Sequence, residues 1–230
     1  MRISIYILIV ITAQLLLPFS LFSQEHYFGV RGGYGMSSVR FDKYQGEKES
    51  SGGIDFGISY KLYAEKFMGT QIELNRVHKG YKIVATVTEK DETTGEDKIT
   101  TTTTTYRGKA LELPLMAQGT LRFGGFRILV NAGVYGSYML SQDKEVEVAV
   151  NSSPSPVVKT SGFSDRDNRL GYGIMGGGGF AFQLKKIELQ IEARYQYGLG
   201  YIMKPKYKAE ETLFGHRSHL VFSVALFYNL

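Results

Sequence analysis

His216 and Ser218 stand two residues apart on an apolar, strand-like stretch and so share a face. A histidine that takes the proton of a serine hydroxyl creates a nucleophile, and a barrel enzyme acting on lipids could use such a pair near its rim. Glu210 and Glu211 are close in sequence, yet the spacing supplies no orienting acid, and the pair reads as a polar strand end beside Leu220 and Phe222. Gly171, Gly173 and Gly176 form a GxGxxG, which holds pyrophosphate only where a strand turns into a helix. Residues 177–183 continue as strand, so nucleotide binding is not expected. His26, His78 and His219 lack metal-ligand spacing, and no carboxylates follow a calcium-loop pattern. No catalytic residue, metal or other cofactor is expected.

The larger chemical signal is charge at alternate positions. Between residues 186 and 198, Ile187, Leu189, Ile191, Ala193, Tyr195 and Tyr197 alternate with Glu188, Gln190, Glu192, Arg194 and Gln196, giving a strand with one greasy and one charged face. Seven other segments carry the same period of two: 27–37, 53–62, 67 to about 87, 99–120, 126–141, 170–183 and 216–230. Antiparallel strands of this kind satisfy every backbone group in lipid only when they close on themselves. The chain is therefore predicted to be all-β, an eight-stranded antiparallel transmembrane β-barrel with lipid outside and a polar lumen inside.

Phase places Arg31, Asp55, Lys61, Glu73, Glu112, Arg127, Glu188, Glu192 and Arg194 in that lumen. Eight strands enclose only enough space for side chains to fill, and a buried charge without a partner costs several kcal/mol. These nine residues are expected to form a structural ion-pair network. The sixth strand points Gly171, Gly173, Met175, Gly177, Gly179 and Ala181 inward, which leaves room for the long side chains of Arg127 and Arg194 from its neighbours.

Short turns are expected at 63–66, 121–125 and 184–186, and longer connections at 38–52, 89–98, 142–169 and 200–213. The alternation matches short periplasmic turns and long extracellular loops. The third and fourth strands exceed the ~9 to 11 residues that cross the hydrocarbon layer. Their continuation, with six threonines at 100–105, predicts one extended extracellular hairpin standing roughly 30 Å above the membrane.

Ahead of the barrel, Met1 and Arg2 precede an apolar run over 3–17, then Pro18, Ser20, Ser23 and Gln24. Residues 1–23 are read as a secretory signal cleaved near Ser23, and residues 24–230 as the barrel domain. The apolar run is short of the ~20 residues of a spanning helix. Without cysteine there is neither a disulfide nor a lipidated cysteine, and a net charge of +5 does not suggest nucleic acid. With 27 glycines, 16 tyrosines, 14 phenylalanines and 5 prolines, the composition suits twisted strands with aromatic rims.

The segment Leu111-Glu-Leu-Pro-Leu-Met, followed by a short turn and Asn131-Ala-Gly-Val-Tyr-Gly, resembles the central signature of the PorT-family outer-membrane β-barrel domain. Phe28-Gly-Val-Arg-Gly-Gly and Leu189-Gln-Ile-Glu-Ala-Arg-Tyr-Gln-Tyr-Gly-Leu are similar to that family's first and penultimate strands. The resemblance implies an integral barrel in the cell outer membrane and no catalytic residue.

The expected function is that of a non-enzymatic barrel with a filled lumen and a structural or loop-mediated binding role. Its expected partners are outer-membrane lipids and an envelope or secretion-machine protein reached through the extracellular loops. The alternative is an accessory subunit of an outer-membrane protein secretion or assembly machine, docking through the long hairpin or residues 142–169. A small-solute channel and a lipid-modifying enzyme rank below both.

Overall fold

The computed structural model describes residues 25–41, 47–64, 67–90, 97–151, 153–165, 167–203 and 215–230. The expected signal at 1–23, the hairpin tip at 91–96, and Glu210 with Glu211 lie outside the described residues.

The strands are β1 (Glu25–Phe41), β2 (Glu47–Tyr63), β3 (Met68–Lys90), β4 (Asp97–Phe123), β5 (Phe126–Val150), β6 (Ser153–Pro154), β7 (Val158–Ser161), β8 (Leu170–Leu184), β9 (Ile187–Tyr201) and β10 (Gly215–Asn229). Each long strand pairs antiparallel with its neighbours, β1 meets β10, and β4 meets β5, so all but β6 and β7 close into a ring of eight strands. Two-residue turns join β4 to β5 through Gly124 and Gly125, and β8 to β9 through Lys185 and Lys186. Gly124 and Lys185 adopt the left-handed backbone, at φ 63° and 56°, that such tight reversals need.

Strand alternation sorts the side chains. Val30, Ile58, Leu113, Val134, Ile174, Ile191 and Val224 stand on the outside with about half their surface open, whereas Arg31, Asp55, Glu112 and Arg194 on the same strands are buried inside. An apolar belt around a closed sheet with a charged interior inverts the arrangement of a water-soluble protein, and lipid is the solvent that such a belt fits.

Above this belt, on the side of the long loops, the sheet continues beyond the ring and is wider than a hairpin. β5 does not end near residue 141. It stays paired with β4 up to Thr100 against Val150, and β7 and β6 then fold back along its other edge. The threonines of β4 would otherwise leave a row of backbone groups unpaired on one side. The alternating stretch from Glu145 to Val150, Glu-Val-Glu-Val-Ala-Val, supplies the partner strand. β2 likewise begins at Glu47 rather than residue 53, and Glu47 to Ser50 pair with Tyr81 to Val84 after an irregularity between Ser50 and Phe56. A second irregularity lies between Lys109 and Ala110, where the raised part of β4 meets the ring.

The glycines of β8 are packed against, and not open. A side chain at Gly177 would collide with the Ala193 carbonyl and lie 2.9 Å from Cγ of Arg194; one at Gly179 would collide with the Ile191 carbonyl and lie 2.7 Å from Cβ of Glu192. Gly176, on the outer phase, would meet only the Asn131 carbonyl oxygen, at 3.6 Å. Gly177→Ala and Gly179→Ala are therefore expected to cut the yield of folded barrel several-fold. Gly176→Ala should stay within about 0.5 kcal/mol of the parent. Heat-modifiable gel mobility after refolding in detergent, with urea titration of the folded fraction, checks both.

Candidate functional site

The lumen is the best-built polar assembly in the molecule, and it is stacked in levels along the barrel axis. At the short-turn end Tyr27 and Tyr63 meet edge to face, with centroids 5.7 Å apart, and join Ala225 and Phe227 in an apolar plug. The Lys61 ammonium lies 3.9 Å from the Phe227 ring centroid and 2.6 Å from Glu188, and Arg127 reaches the other oxygen of Glu188 at 2.7 Å. Glu188 is thus clamped between two cations from opposite sides of the ring.

Glu73 is the hub of the next level. Its two oxygens accept hydrogen bonds from Arg31 at 2.7 Å, from both terminal nitrogens of Arg194 at 2.8 and 2.9 Å, and from Ser59, Gln71 and Asn75 at 3.0, 2.6 and 2.8 Å. These donors come from β1, β2, β3 and β9. Glu192 shares Arg194 and lies 3.5 Å from Arg31, while Asn131 donates to it at 2.9 Å.

Two further pairs sit nearer the long loops. Glu112 forms an ion pair with Lys79 at 2.8 Å and accepts from Gln196 at 2.6 Å. Asp55 contacts Nε2 of His219 at 2.7 Å and accepts the backbone N–H of His78, also at 2.7 Å. That second bond satisfies a donor which the irregular pairing of β2 with β3 would leave without a strand partner.

All nine residues expected in the lumen are buried there: Arg31, Lys61, Glu73, Glu112, Arg127, Glu188, Glu192 and Arg194 within ion pairs, and Asp55 against the His219 imidazole. Lys79 and His219 complete the set without having been singled out. Lys79 lies on the inward phase of β3 three steps beyond Glu73, so period two was a sufficient signal for it. His219 carries the inward phase of β10, but its pairing with Asp55, 164 residues away, depends on how the ring closes.

Higher up, side chains close the barrel at the long-loop end. Met116, Tyr135 and Met175 form one apolar cluster, and Val77, Ala110 and Met139 another, with Phe163 from the loop after β7 packed on it. Val39, Ile83 and Ile202 form the topmost, covered by Tyr81 and Tyr106, which stack at 4.5 Å. Burial raises the pKa of Tyr81. A cavity of about 20 Å³ remains beside Lys79, Tyr135, Ser137 and Arg217, room for about one water molecule.

The tempting motifs are occupied by other contacts. His216 stacks on Tyr197 and meets Tyr201 at a tilt, with its Nδ1 3.0 Å from the Gly198 carbonyl oxygen, and the Ser218 hydroxyl lies 2.8 Å from that of Ser38. Gly171, Gly173 and Gly176 lie within β8.

Glu73→Gln leaves Arg31 and Arg194 with Glu192 as their remaining carboxylate and is expected to cost about 3 to 5 kcal/mol of unfolding free energy. Adding Arg31→Met should cost less than the sum of the two single changes, because the second change removes a cation that the first has deprived of its nearer carboxylate. Guanidinium unfolding of the four proteins of this cycle, followed by the β-sheet circular dichroism of the backbone, gives the coupling. Strict additivity would refute the hub.

The family model for the outer membrane protein β-barrel domain matches residues 22–204. No curated protein matches the chain. Among solved structures, OprG from Pseudomonas aeruginosa is similar at 13% identity and a TM-score of 0.47, over 90% of this chain and 97% of that one. Neisserial surface protein A is similar at 11% identity and 0.41, over 88% and 97%. Ail of Yersinia pestis, solved in complex with the heparin analogue sucrose octasulfate, is similar at 12% identity and 0.41, over 90% and 99%. With the family match spanning most of its length, a closed ring of eight strands and an apolar belt outside a charged interior, the chain belongs to the outer membrane protein β-barrel domain family.

Proposed function

We propose that this outer-membrane barrel is non-enzymatic and does not conduct, and that it acts through the sheet it raises above the membrane. The observation that carries the reading is the filling of the lumen. Lys61 and Arg127 are held by Glu188, Arg31 and Arg194 by Glu73 and Glu192, and Lys79 by Glu112, while Asp55 is held by His219, and all of these residues are buried. A conducting lumen needs charges that ions can approach and leave, whereas these are engaged with one another. The extension, by contrast, offers exposed backbone and side chains on strands held rigid by the ring.

Export by cleavage near Ser23 belongs to the same proposal, as does a place among the PorT-type barrels on the motif beginning at Leu111. Docking to a secretion or assembly machine is the second reading. It is favoured by β7, which among the described residues pairs only with β5, and by the exposed Val158 and the adjacent Val157.

Reconstituted in planar bilayers, the intact chain is expected to leave the membrane silent; stepwise conductance would overturn the filled-lumen reading. A pulldown in mild detergent from native outer membrane, run beside a version trimmed between Tyr81 and Tyr106, tests the second reading. A stoichiometric protein lost on trimming supports docking, and a barrel that comes down alone in both samples sinks it.

A further inference from the structure

The outward face of β3 and β4 changes character in a fixed order with height. Leu115, Leu113 and Leu111 lie in the lipid belt. Arg76 stands level with Leu111, its partner in register, and Lys109, paired with His78, stands one step above. Arg76 covers the outer face of Phe56, with its guanidinium carbon 5.4 Å from the ring centroid. Among the described residues no carboxylate pairs with Arg76 or Lys109. Arg107 follows two residues above Lys109 on the same face, with its nearest carboxylate, Glu145, at 3.6 Å.

Above the cations a polar groove of about 700 Å³ opens on the same face. Thr101, Thr103 and Thr105 line its floor, Glu145 and Glu147 one wall, and Lys82 with Glu49 the other. Arg107 lines the groove as well, so cation patch and groove are continuous. Hydroxyls beside carboxylates suit a ligand that offers many hydroxyl groups, since each can donate to a carboxylate and accept from a threonine. Apolar belt, cations and hydroxyl-matching groove thus follow one another away from the membrane. An amphiphile that fits all three carries acyl chains, then phosphate, then sugar.

We propose that this face of β2–β5 binds a phosphorylated glycolipid of the surrounding outer leaflet. Its acyl chains lie along Leu111 to Leu115, its phosphate sits between Arg76, Lys109 and Arg107, and its sugar chain rises over Thr105 to Thr101. The site deepens the reading that the barrel works through its raised sheet, and rests on it. It also gives the threonine run a role that a solvated ribbon does not require, because hydroxyls and not merely β-branched carbons are needed at alternate positions.

The test uses the full chain in nanodiscs of neutral phospholipid, titrated with a purified diphosphorylated glycolipid bearing its core sugars, with phosphatidic acid, or with inorganic phosphate. The parent should bind the glycolipid and prefer it to phosphatidic acid at least tenfold. The pair Arg76→Ala and Lys109→Ala should weaken binding about 25-fold, about fivefold for each cation removed near an anionic headgroup. Thr103→Val should weaken only the glycolipid, several-fold, and Lys186→Ala, at the opposite rim, should change nothing. Heat-modifiable mobility confirms that each variant is folded. Equal affinity for phosphatidic acid and glycolipid, with Thr103→Val silent, would overturn the sugar site; an unaltered affinity in the double variant would overturn the phosphate site. Preference for inorganic phosphate over both lipids would also refute the proposal. Failure of any of these arms alongside a silent bilayer removes the glycolipid and leaves the filled-lumen barrel standing.

Discussion

Burying charge where water cannot follow is the condition on which this barrel depends. Eight strands leave a lumen that side chains fill, so a carboxylate or cation inside depends on neighbouring side chains to offset the loss of water. Glu73 shows how severe the condition is, because it takes donors from β1, β2, β3 and β9. Such a centre cannot be satisfied by any two adjacent strands. The backbone ladder holds each strand to its neighbours, while the polar centre fixes strands across the ring, and together they set one register.

The same condition explains why so much was legible in the sequence. Alternation has a period of two in any strand, and lipid on one side with paired charge on the other makes the two phases chemically opposite. Glu188, Glu192 and Arg194 could therefore be assigned to the lumen from β9 alone, and Gly177 and Gly179 could be read as space for larger neighbours. What phase does not contain is the stagger between strands. The pairing of Glu112 with Lys79 follows from the register of β3 on β4, and that of Asp55 with His219 from which levels face each other after closure. Strand ends were the other loss. The continuation of β5 through Glu145 to Val150 does alternate, but so short a run beside a polar connection does not by itself mark a strand, and its reason for being one lies in the unpaired edge of β4, which is remote information.

The two ends of the molecule divide their labour. In the membrane the inward face is charged and the outward face apolar. In the raised sheet the order is reversed: Ile83, Val146, Val148 and Val150 share the phase that faces inward, and Thr101, Thr103, Thr105, Glu145 and Glu147 face out. Each strand keeps its alternation but exchanges the solvent it meets, from lipid to water. That exchange is why one uninterrupted strand such as β4 can serve as wall at one end and as display surface at the other.

β4 also carries load. Its 27 residues are bonded to β3 on one side and to β5 on the other over most of their length, so a sideways force on the raised sheet runs down it as down a beam clamped in a socket. The break in register between Lys109 and Ala110 is the weak section of that beam, since a ladder bends where its rungs lose alignment. Immediately beneath it, Ala110 packs with Val77 and Met139, and the Lys79–Glu112 pair lies close by. Tension on the surface would thus be absorbed as a tilt at this joint, and the ion pairs deeper in the barrel would be spared it.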